Sequence, residues 1–117
     1  MSDFITYTYR KFTIRIMEKN LTPLEHKENN KTLAKFAKAL AHPTRIAILK
    51  HLENQSCCFT GDLVDIFPLA QSTISQHLKE LKNAGLIQGE LKPPKIKYCI
   101  NQKNWNIAKS LFQQFFE

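Results

Sequence analysis

The sequence is poor in the residues that most enzymes need to bind phosphate or to activate a substrate. It contains three glycines in 117 residues, and they are not grouped into a loop that could cradle a phosphate. No pair of carboxylates and no nucleophile motif stands out. The four histidines (His26, His42, His51 and His77) lack the spacing of metal ligands. We therefore do not expect an enzyme.

Long apolar runs are absent as well. No stretch is long enough to span a membrane, and the first residues lack the apolar core and small cleavage-site residues of a secretory signal. There are no internal repeats or low-complexity tracts. A chain of 117 residues is sufficient for one domain with a modest core. These features predict a single cytoplasmic domain without a membrane partner.

Acidic residues are scarce relative to basic ones. The chain has 17 Lys and Arg against 10 Asp and Glu, which gives a net charge of +7. No carboxylate lies between Glu90 and Glu117. This excess favours a polyanionic partner such as a nucleic acid, although many proteins of other function are also basic.

Residues 60–86 (TGDLVDIFPLAQSTISQHLKELKNAGL) predict two short helices joined by a tight turn. Apolar residues recur at helical spacing in both halves: Leu63, Val64 and Phe67 in the first, and Ile74, Leu78 and Leu81 in the second. Thr60 is the expected N-cap of the first helix, with Asp62 favourably placed in its first turn. Pro68 is unsuited to a helix interior, which places the turn at residues 67–70.

The second helix, about residues 71–84, ends before Gly85, which suits a left-handed C-terminal cap. Its outward positions near the N-terminus are uncharged hydrogen-bonding groups, which can reach base edges when a helix enters the major groove of DNA. The helix N-terminus itself attracts phosphate. The predicted DNA contacts on this helix are Gln71, Ser72, Thr73, Ser75, Gln76, His77 and Lys79, with Lys82 also facing outward. The alternative is a plain helical hairpin whose polar residues face water.

A basic β-hairpin is predicted at about residues 86–101. The pair Pro93 and Pro94 blocks strand pairing and marks the tip of the hairpin. Lys92, Lys95 and Lys97 cluster around this tip. A basic hairpin directly after a two-helix reader resembles the wing of a winged helix-turn-helix domain, which would lie along phosphates or the minor groove. A solvated, lysine-rich turn is the alternative.

Three blocks carry a resemblance to a known family: residues 39–49 (ALAHPTRIAIL), 72–81 (STISQHLKEL) and 84–87 (AGLI). In identity and spacing they resemble the ArsR/SmtB-type repressors, and the similarity covers roughly residues 32–116. The resemblance implies a small bacterial winged-helix dimer that releases DNA when a metal or another inducer binds. The expected fold is mainly α with a small β-hairpin, dimeric through its N- and C-terminal helices.

The first of these blocks also has a physical interpretation. Pro43 fits the first turn of a helix, and the residue before a proline is pushed toward extended geometry, so a helix boundary is expected at His42. Ile46, Leu49 and Leu52 are expected to face the core. Arg45 is predicted to contact either a DNA phosphate or an acidic neighbour.

The N-terminal region departs from the family pattern. Residues 1–16 are rich in β-branched and aromatic side chains, which favours extended structure over helix. We assign residues 1–21 to an N-terminal extension, either disordered or added as a strand to another element, and residues 22–117 to the winged domain. Thr22 with Pro23 and Glu25 can initiate a helix, and a firmer helical pattern runs over about residues 30–41.

Apolar stripes at both ends of the domain predict a homodimer. The stripes lie on helices predicted at about residues 30–41 and 103–116, and they comprise Leu33, Phe36, Ala37 and Leu40 on the first and Trp105, Ala108, Leu111, Phe112 and Phe115 on the second. A symmetric dimer would bury them and place two reading helices about one duplex turn apart, roughly 34 Å. In the alternative, both stripes complete the core of the monomer.

The three cysteines, Cys57, Cys58 and Cys99, are the candidates for sensing chemistry. Metal-sensing members of the family often carry Cys-x-Cys here, and the resemblance implies that Cys58 matches the first ligand while Thr60 replaces the second. In winged helices this segment often pairs with the second wing strand, which would bring Cys57 or Cys58 near Cys99. Such a pair could pack structurally, bind a thiophilic ion such as arsenite or form a redox-sensitive disulfide. No His or Cys follows residue 103, so the family's other metal site, on the last helix, is not expected.

The sequence thus predicts a sequence-specific DNA-binding repressor whose partners are an operator duplex and a second copy of itself. No cofactor is certain, and arsenite or another thiophilic ion is the predicted inducer. A redox-responsive regulator, or one without a metal, is the nearest alternative. A small thiol-redox or metal-binding protein without DNA function is the alternative from another class.

Overall fold

The computed structural model describes residues 22–55 and 57–117, so the predicted extension at residues 1–21 lies outside the described residues. Five helices and three strands follow one another over the described residues. We number them in chain order as α1 (Pro23–Ala39), α2 (Pro43–Gln55), β1 (Cys57–Phe59), α3 (Thr60–Ile66), α4 (Gln71–Asn83), β2 (Ile87–Lys92), β3 (Lys95–Ile100) and α5 (Gln102–Phe116).

Helix α1 begins several residues earlier than its apolar stripe predicts, because a complete capping box stabilises its N-terminus. The Thr22 hydroxyl accepts a hydrogen bond from the Glu25 backbone N–H (3.1 Å), and the Glu25 carboxylate accepts one from the Thr22 N–H (2.8 Å). Pro23 occupies the first turn, where its missing N–H costs little. The firmer pattern from residue 30 is therefore the second half of a helix of 17 residues.

Helix α2 starts at Pro43, as predicted, and His42 closes its N-terminus. The His42 Nδ1 accepts a hydrogen bond from the Thr44 backbone N–H at 3.1 Å, as an N-cap side chain does. Leu49 and Leu52 face the core, as expected. The prediction for Ile46 is wrong, because this side chain is 42% exposed and Ile48 is buried instead.

Helices α3 and α4 form the predicted pair, with the turn at residues 67–70. Thr60 is not the N-cap of α3, contrary to the prediction, because the helix already includes it as its first residue. The N-cap is Phe59, whose backbone N–H donates to the Asp62 carboxylate at 3.2 Å. Asp62 thus lies in the first turn, as predicted, where a negative charge is favoured.

The C-terminus of α4 ends in a Schellman motif at Gly85. Gly85 has a φ of +88°, and its N–H donates to the Lys82 carbonyl at 2.9 Å. The Leu86 N–H donates to the Leu81 carbonyl at 3.1 Å, which completes the motif. The predicted left-handed cap is confirmed, and it turns the chain from α4 into β2.

The hairpin β2–β3 is joined by a third strand, so the sheet has the antiparallel order β1-β3-β2. In the register, Cys57 lies opposite Cys99 and Cys58 opposite Tyr98. The prediction that the segment before α3 pairs with the second strand of the hairpin is therefore confirmed, because β1 pairs with β3. The architecture is the predicted winged helix-turn-helix: mainly helical, with a small sheet.

The core lies where α2, α3 and α4 pack against each other and against the sheet. Its fully buried side chains come from these helices, from the turn after α4 and from the first residue of β2, and they include Ile48, Leu52, Leu63, Ile74, Leu78, Leu81, Leu86 and Ile87. This core fixes α4 by one face and leaves the opposite face in water. Over the described ranges, 22–55 and 57–117, no helix is long and apolar enough to cross a bilayer.

Candidate nucleic-acid interface

Helix α4 presents a polar face to solvent, because its apolar residues are confined to one side. Ile74, Leu78 and Leu81 are fully buried. Most of the predicted DNA contacts on the helix are exposed: Gln71, Ser72, Thr73, Ser75, Gln76 and Lys79, together with Lys82. The helix therefore has the division between a buried stripe and an open polar face that a reading helix requires.

The N-terminal turn of α4 leaves backbone donors open to an anion. The N-cap is Ala70, which forms no side-chain capping hydrogen bond, and the first turn contains no acidic residue. Uncapped N–H groups at a helix N-terminus attract phosphate. Further along the helix, the Gln76 amide donates to the Glu80 carboxylate at 3.0 Å, so this predicted contact already has an intramolecular partner.

His77 does not face outward, and the prediction that placed it among the exposed contacts is wrong. It is 8% exposed. Its Nδ1 accepts a hydrogen bond from the Arg45 Nε at 3.2 Å, and the Arg45 Nη1 donates to the Ala39 carbonyl at 3.4 Å. Arg45 thus links the end of α1 to the middle of α4. In this structure its partners are a histidine and a carbonyl, not the acidic neighbour that was one expectation.

The His42 ring packs against His77, with 4.4 Å between the ring centroids. Burial lowers the pKa of His77, and the neighbouring His42 and the Arg45 guanidinium lower it further. A neutral His77 keeps an acceptor nitrogen for Arg45, whereas a protonated imidazole has only donors. The cluster of Arg45, His42 and His77 therefore positions α4 against α2 in the neutral form.

The wing lysines have different environments. Lys92 pairs with Glu90 at 2.8 Å between Nζ and Oε1, and this contact raises the pKa of Lys92 and lowers that of Glu90. Lys95 Nζ lies 5.5 Å from the centroid of the Phe59 ring, within the range of a cation–π contact. Lys97, half-buried, lies opposite Glu90 and Phe59 in the sheet. All three belong to one hairpin, but Lys92 is partly neutralised.

Asn104 fixes the start of the wing and was not singled out by the sequence. Its Nδ2 donates to the Gly85 carbonyl at 2.9 Å. Its own backbone N–H donates to the Asn101 side chain, which caps α5, at 3.2 Å. Asn104 thus holds the turn between α4 and β2 against α5. An asparagine three residues after a capping asparagine was the signal in the sequence, but its partner is 19 positions away.

The three candidate ligand cysteines are not brought together. Cys57 and Cys99 form a disulfide across β1 and β3, with their Cα atoms 4.2 Å apart. Cys58 projects to the opposite face of the sheet, where it is buried in the core. Burial raises the pKa of the Cys58 thiol, and Asp62 raises it further. Within the described ranges, no group of three or more His, Cys, Asp or Glu side chains could hold a metal ion.

The predicted interface stripes on α1 and α5 are shared between the core and the surface. Phe36 and Ala108 are buried within the single chain, as the alternative of a monomer core expects for these two residues. Leu40, Trp105, Leu111 and Phe112 are partly buried against the core, and Leu33 is half-buried. Ala37 is exposed, as are Phe115 (68%) and Phe116 (75%) at the end of α5.

Comparison with known proteins identifies relatives for this arrangement. The sequence model of a protein family described as "Bacterial regulatory protein, arsR family" matches residues 42–88 of this chain. The chain is 47% identical over 53 residues to the HTH-type transcriptional repressor SmtB of Mycobacterium tuberculosis, covering 45% of this chain and 38% of SmtB. It is 34% identical over 73 residues to the HTH-type transcriptional regulator YgaV of Escherichia coli, covering 62% of this chain and 74% of YgaV.

A solved structure extends the comparison to the fold. The crystal structure of NolR from Sinorhizobium fredii matches with a TM-score of 0.61 and 30% identity, over 80% of this chain and 92% of NolR. The similarity to this structure covers more of the chain than residues 42–88, which the family model matches. The chain spans well under half the length of SmtB, which is among the relatives it matches in sequence.

Proposed function

Because the chain belongs to the arsR family of bacterial regulatory proteins, we propose that it is a transcriptional repressor that binds operator DNA sequence-specifically in the cytoplasm. The observation that carries this proposal is that α4 has two distinct faces. Ile74, Leu78 and Leu81 are buried on one face, and the polar residues of the opposite face are exposed. The relatives are regulators, in agreement with the prediction that the chain is not an enzyme.

In the proposed complex, the N-terminal half of α4 enters the major groove. The Gln71 amide can pair with an adenine edge and the Ser75 hydroxyl can reach a base or a phosphate, while the open N–H groups of the first turn bind phosphate. The basic hairpin follows directly after α4, so that Lys95 and Lys97 lie along the backbone. Arg45 and His77 act indirectly, by positioning α4.

Fluorescence anisotropy on the duplex upstream of the chain's own gene, and on a shuffled duplex, tests this proposal. We expect a preference for the native duplex and a steep loss of affinity with salt. Gln71→Ala or Ser75→Ala should weaken binding to the native duplex by about 1–3 kcal/mol, with little effect on the shuffled one. Equal losses on both duplexes would contradict base reading by these residues.

The salt dependence separates the wing from the reader helix. Lys95→Ala should weaken binding to both duplexes and reduce the salt slope by about one unit. Lys103→Ala on α5 removes the same charge from an exposed position outside the reader and the wing, and should leave the slope unchanged. A slope that falls equally in both variants would assign the effect to net charge rather than to wing contacts.

We further propose that the chain acts as a homodimer through α1 and α5. The support is the apolar surface left at the end of α5, where Phe115 and Phe116 are largely exposed although the Phe116 ring packs on Phe112. Exposed aromatic groups of this size are costly in water. A two-fold axis at this surface would space the two copies of α4 to match two half-sites of an operator.

Light scattering on the purified chain tests the dimer. Phe116→Glu should shift the protein toward monomer at micromolar concentration, because a charge would be buried in an apolar contact. Leu91→Glu is a matched control, since Leu91 is 69% exposed on the wing and lies outside the proposed interface. A monomeric wild type, or equal effects of both variants, would contradict the proposal.

We also propose that a thiophilic ion is the inducer that releases the chain from DNA, on the basis of the register that places Cys57 opposite Cys99. After reduction, these two thiols lie on neighbouring strands and can bind a soft ion such as arsenite as a pair. Arsenite should then release operator DNA from the reduced wild type and from Cys58→Ser, but not from Cys57→Ser. Release from Cys57→Ser would exclude this pair as the ligands.

A further inference from the structure

A cavity of about 290 Å³ opens beside the disulfide, away from the reading face of α4. It lies between the end of α2, the sheet and α5, and both bonded cysteines line it. Leu52, Trp105 and Ile100 are the apolar lining residues, and Glu53, Gln102 and Lys109 contribute polar groups. Cys57 and Cys99 are half-buried rather than buried, and both line the cavity, so a small molecule bound there would lie next to the disulfide.

We propose that this cavity is a thiol–disulfide exchange site for a small zwitterionic thiol, an amino acid or short peptide with a free sulfhydryl group. Lys109 offers an ammonium to a carboxylate, and Glu53 offers a carboxylate to an ammonium. Neither residue forms an ion pair with another of the residues that the structure describes. The volume suits a ligand of amino-acid size, at the lower end of small-molecule sites.

The exchange takes place in two steps. The thiolate of the first small molecule attacks one sulfur of the Cys57–Cys99 bond, forms a mixed disulfide with it and expels the other cysteine as a thiolate. A second small thiolate then attacks the mixed disulfide and leaves as part of a small-molecule disulfide. Two thiols are oxidised to one disulfide, and Cys57 and Cys99 together gain two electrons and two protons. The reverse reaction reoxidises the pair.

Cys58 takes no part in this chemistry, although it is adjacent in sequence. It projects from the other face of β1 into the core and is 7% exposed. Its thiol is also harder to ionise than an ordinary cysteine, because burial and Asp62 raise its pKa. The two faces of one short strand therefore carry one inert cysteine and one cysteine that lines a cavity.

The reducing cytosol favours an exchanging disulfide over a permanent crosslink. This part of the argument rests on the proposed function, which places the chain in the cytosol. A regulator of chromosomal DNA works in the reducing cytosol, where disulfides are mostly transient or redox-sensing. A disulfide that a small thiol can reach through an open cavity would be reduced and re-formed as the thiol pool changes.

The rate of reduction of the oxidised full chain tests the proposal in the absence of DNA. L-cysteine carries both charges, whereas 2-mercaptoethanol carries neither, and each rate is expressed per thiolate. Alkylation of the released thiols followed by mass spectrometry identifies the reacting residues. We expect Lys109→Ala and Glu53→Gln each to slow the reaction with L-cysteine by about two- to fivefold, the effect of one exposed charge contact. The rate with 2-mercaptoethanol should not change.

Lys103→Ala is the matched control, because it removes an exposed lysine of the same helix that does not line the cavity. It should react as the wild type does with both thiols. Equal slowing with both thiols, no slowing with either, or the same effect in Lys103→Ala would overturn the proposal. Alkylation of Cys58 in the folded protein would also overturn it. Since no DNA is present, these outcomes are independent of whether the chain binds an operator.

Discussion

The Arg45 guanidinium donates a hydrogen bond from Nε to the Nδ1 of His77 across 3.2 Å, and the two residues are 32 positions apart in the chain. The contact joins the first turn of α2 to the middle of α4. His77 lies on the buried side of α4, so the hydrogen bond holds the proposed reading helix from the side opposite its exposed polar face.

A double-mutant cycle should measure this contact. Arg45→Ala and His77→Ala should each destabilise the chain, and together by less than the sum, with a coupling of about 0.5–1.5 kcal/mol. Urea unfolding monitored by circular dichroism supplies the four free energies. A second cycle that combines Lys103→Ala with His77→Ala should give additive effects, because Lys103 is exposed on another helix. Additivity for the Arg45 pair would mean that the hydrogen bond contributes nothing to stability.

The lowered pKa of His77 predicts a loss of stability in mild acid. Burial is the main cause, with His42 and Arg45 adding to it, and the ordinary pKa is 6.5. Below that pH the unfolded chain binds a proton that the folded chain does not. The contribution of His77 to the free energy of unfolding is therefore complete above pH 6.5. It falls as the pH drops toward the pKa of His77 in the folded chain, and below that pKa it stays constant.

Unfolding free energies measured between pH 8 and about pH 5 check this dependence. His77→Gln cannot titrate and should lose that part of the slope, whereas His51→Gln serves as a control at a histidine outside the cluster. A slope that survives His77→Gln unchanged would assign the acid sensitivity to other groups.

Two glycines should respond to alanine in opposite ways. At Gly85 the φ of +88° is unfavourable for alanine, and a new Cβ would lie 2.8 Å from the Asn104 amide nitrogen. We expect Gly85→Ala to lower the unfolding free energy by about 1–3 kcal/mol. At Gly61, within α3, nothing lies within 4 Å of the added carbon, so alanine should stabilise the helix by about 0.5–1 kcal/mol. Thermal unfolding of both variants gives the comparison, and equal signs would contradict it.

The disulfide should stabilise the chain mainly by restricting the unfolded state. It joins residues separated by 42 positions, and loops of this length predict a contribution of about 2–4 kcal/mol. Dithiothreitol should lower the urea midpoint of the wild type toward that of the variant lacking both Cys57 and Cys99. The variant itself should not respond to the reductant. A wild type that is equally stable in both conditions would show that the crosslink adds nothing.

The periodic part of the fold was predictable because it depends on local patterns. The spacing of Ile74, Leu78 and Leu81 fixed the buried face of α4, and Gly85 marked its end, as the structure confirms. The start of α1 was underestimated because its first half has a weak apolar stripe. There the capping signal at Thr22 and Glu25 was the better guide.

The errors concern residues whose environment is set by distant partners. His77 lies three positions after Ile74, at the flank of the buried stripe, and Arg45 from α2 supplies the hydrogen-bond donor for its Nδ1. Ile46 is predicted to face the core together with Leu49 and Leu52, but it is 42% exposed and Ile48 is buried instead. The cysteine pairing needed the register of β1 on β3, which a strand of three residues does not encode by itself.

The bond between Cys57 and Cys99 closes a covalent ring that contains α3, α4 and β2. A protease that cuts once within this ring, in the exposed turn at Leu69 or at the hairpin tip, opens the ring without separating its pieces. Non-reducing electrophoresis of the nicked chain would show one full-length band, and reducing electrophoresis would show two fragments. The same cut made in α1 or α5 would release a fragment under both conditions, so the pattern of bands reports which part of the molecule the crosslink encloses.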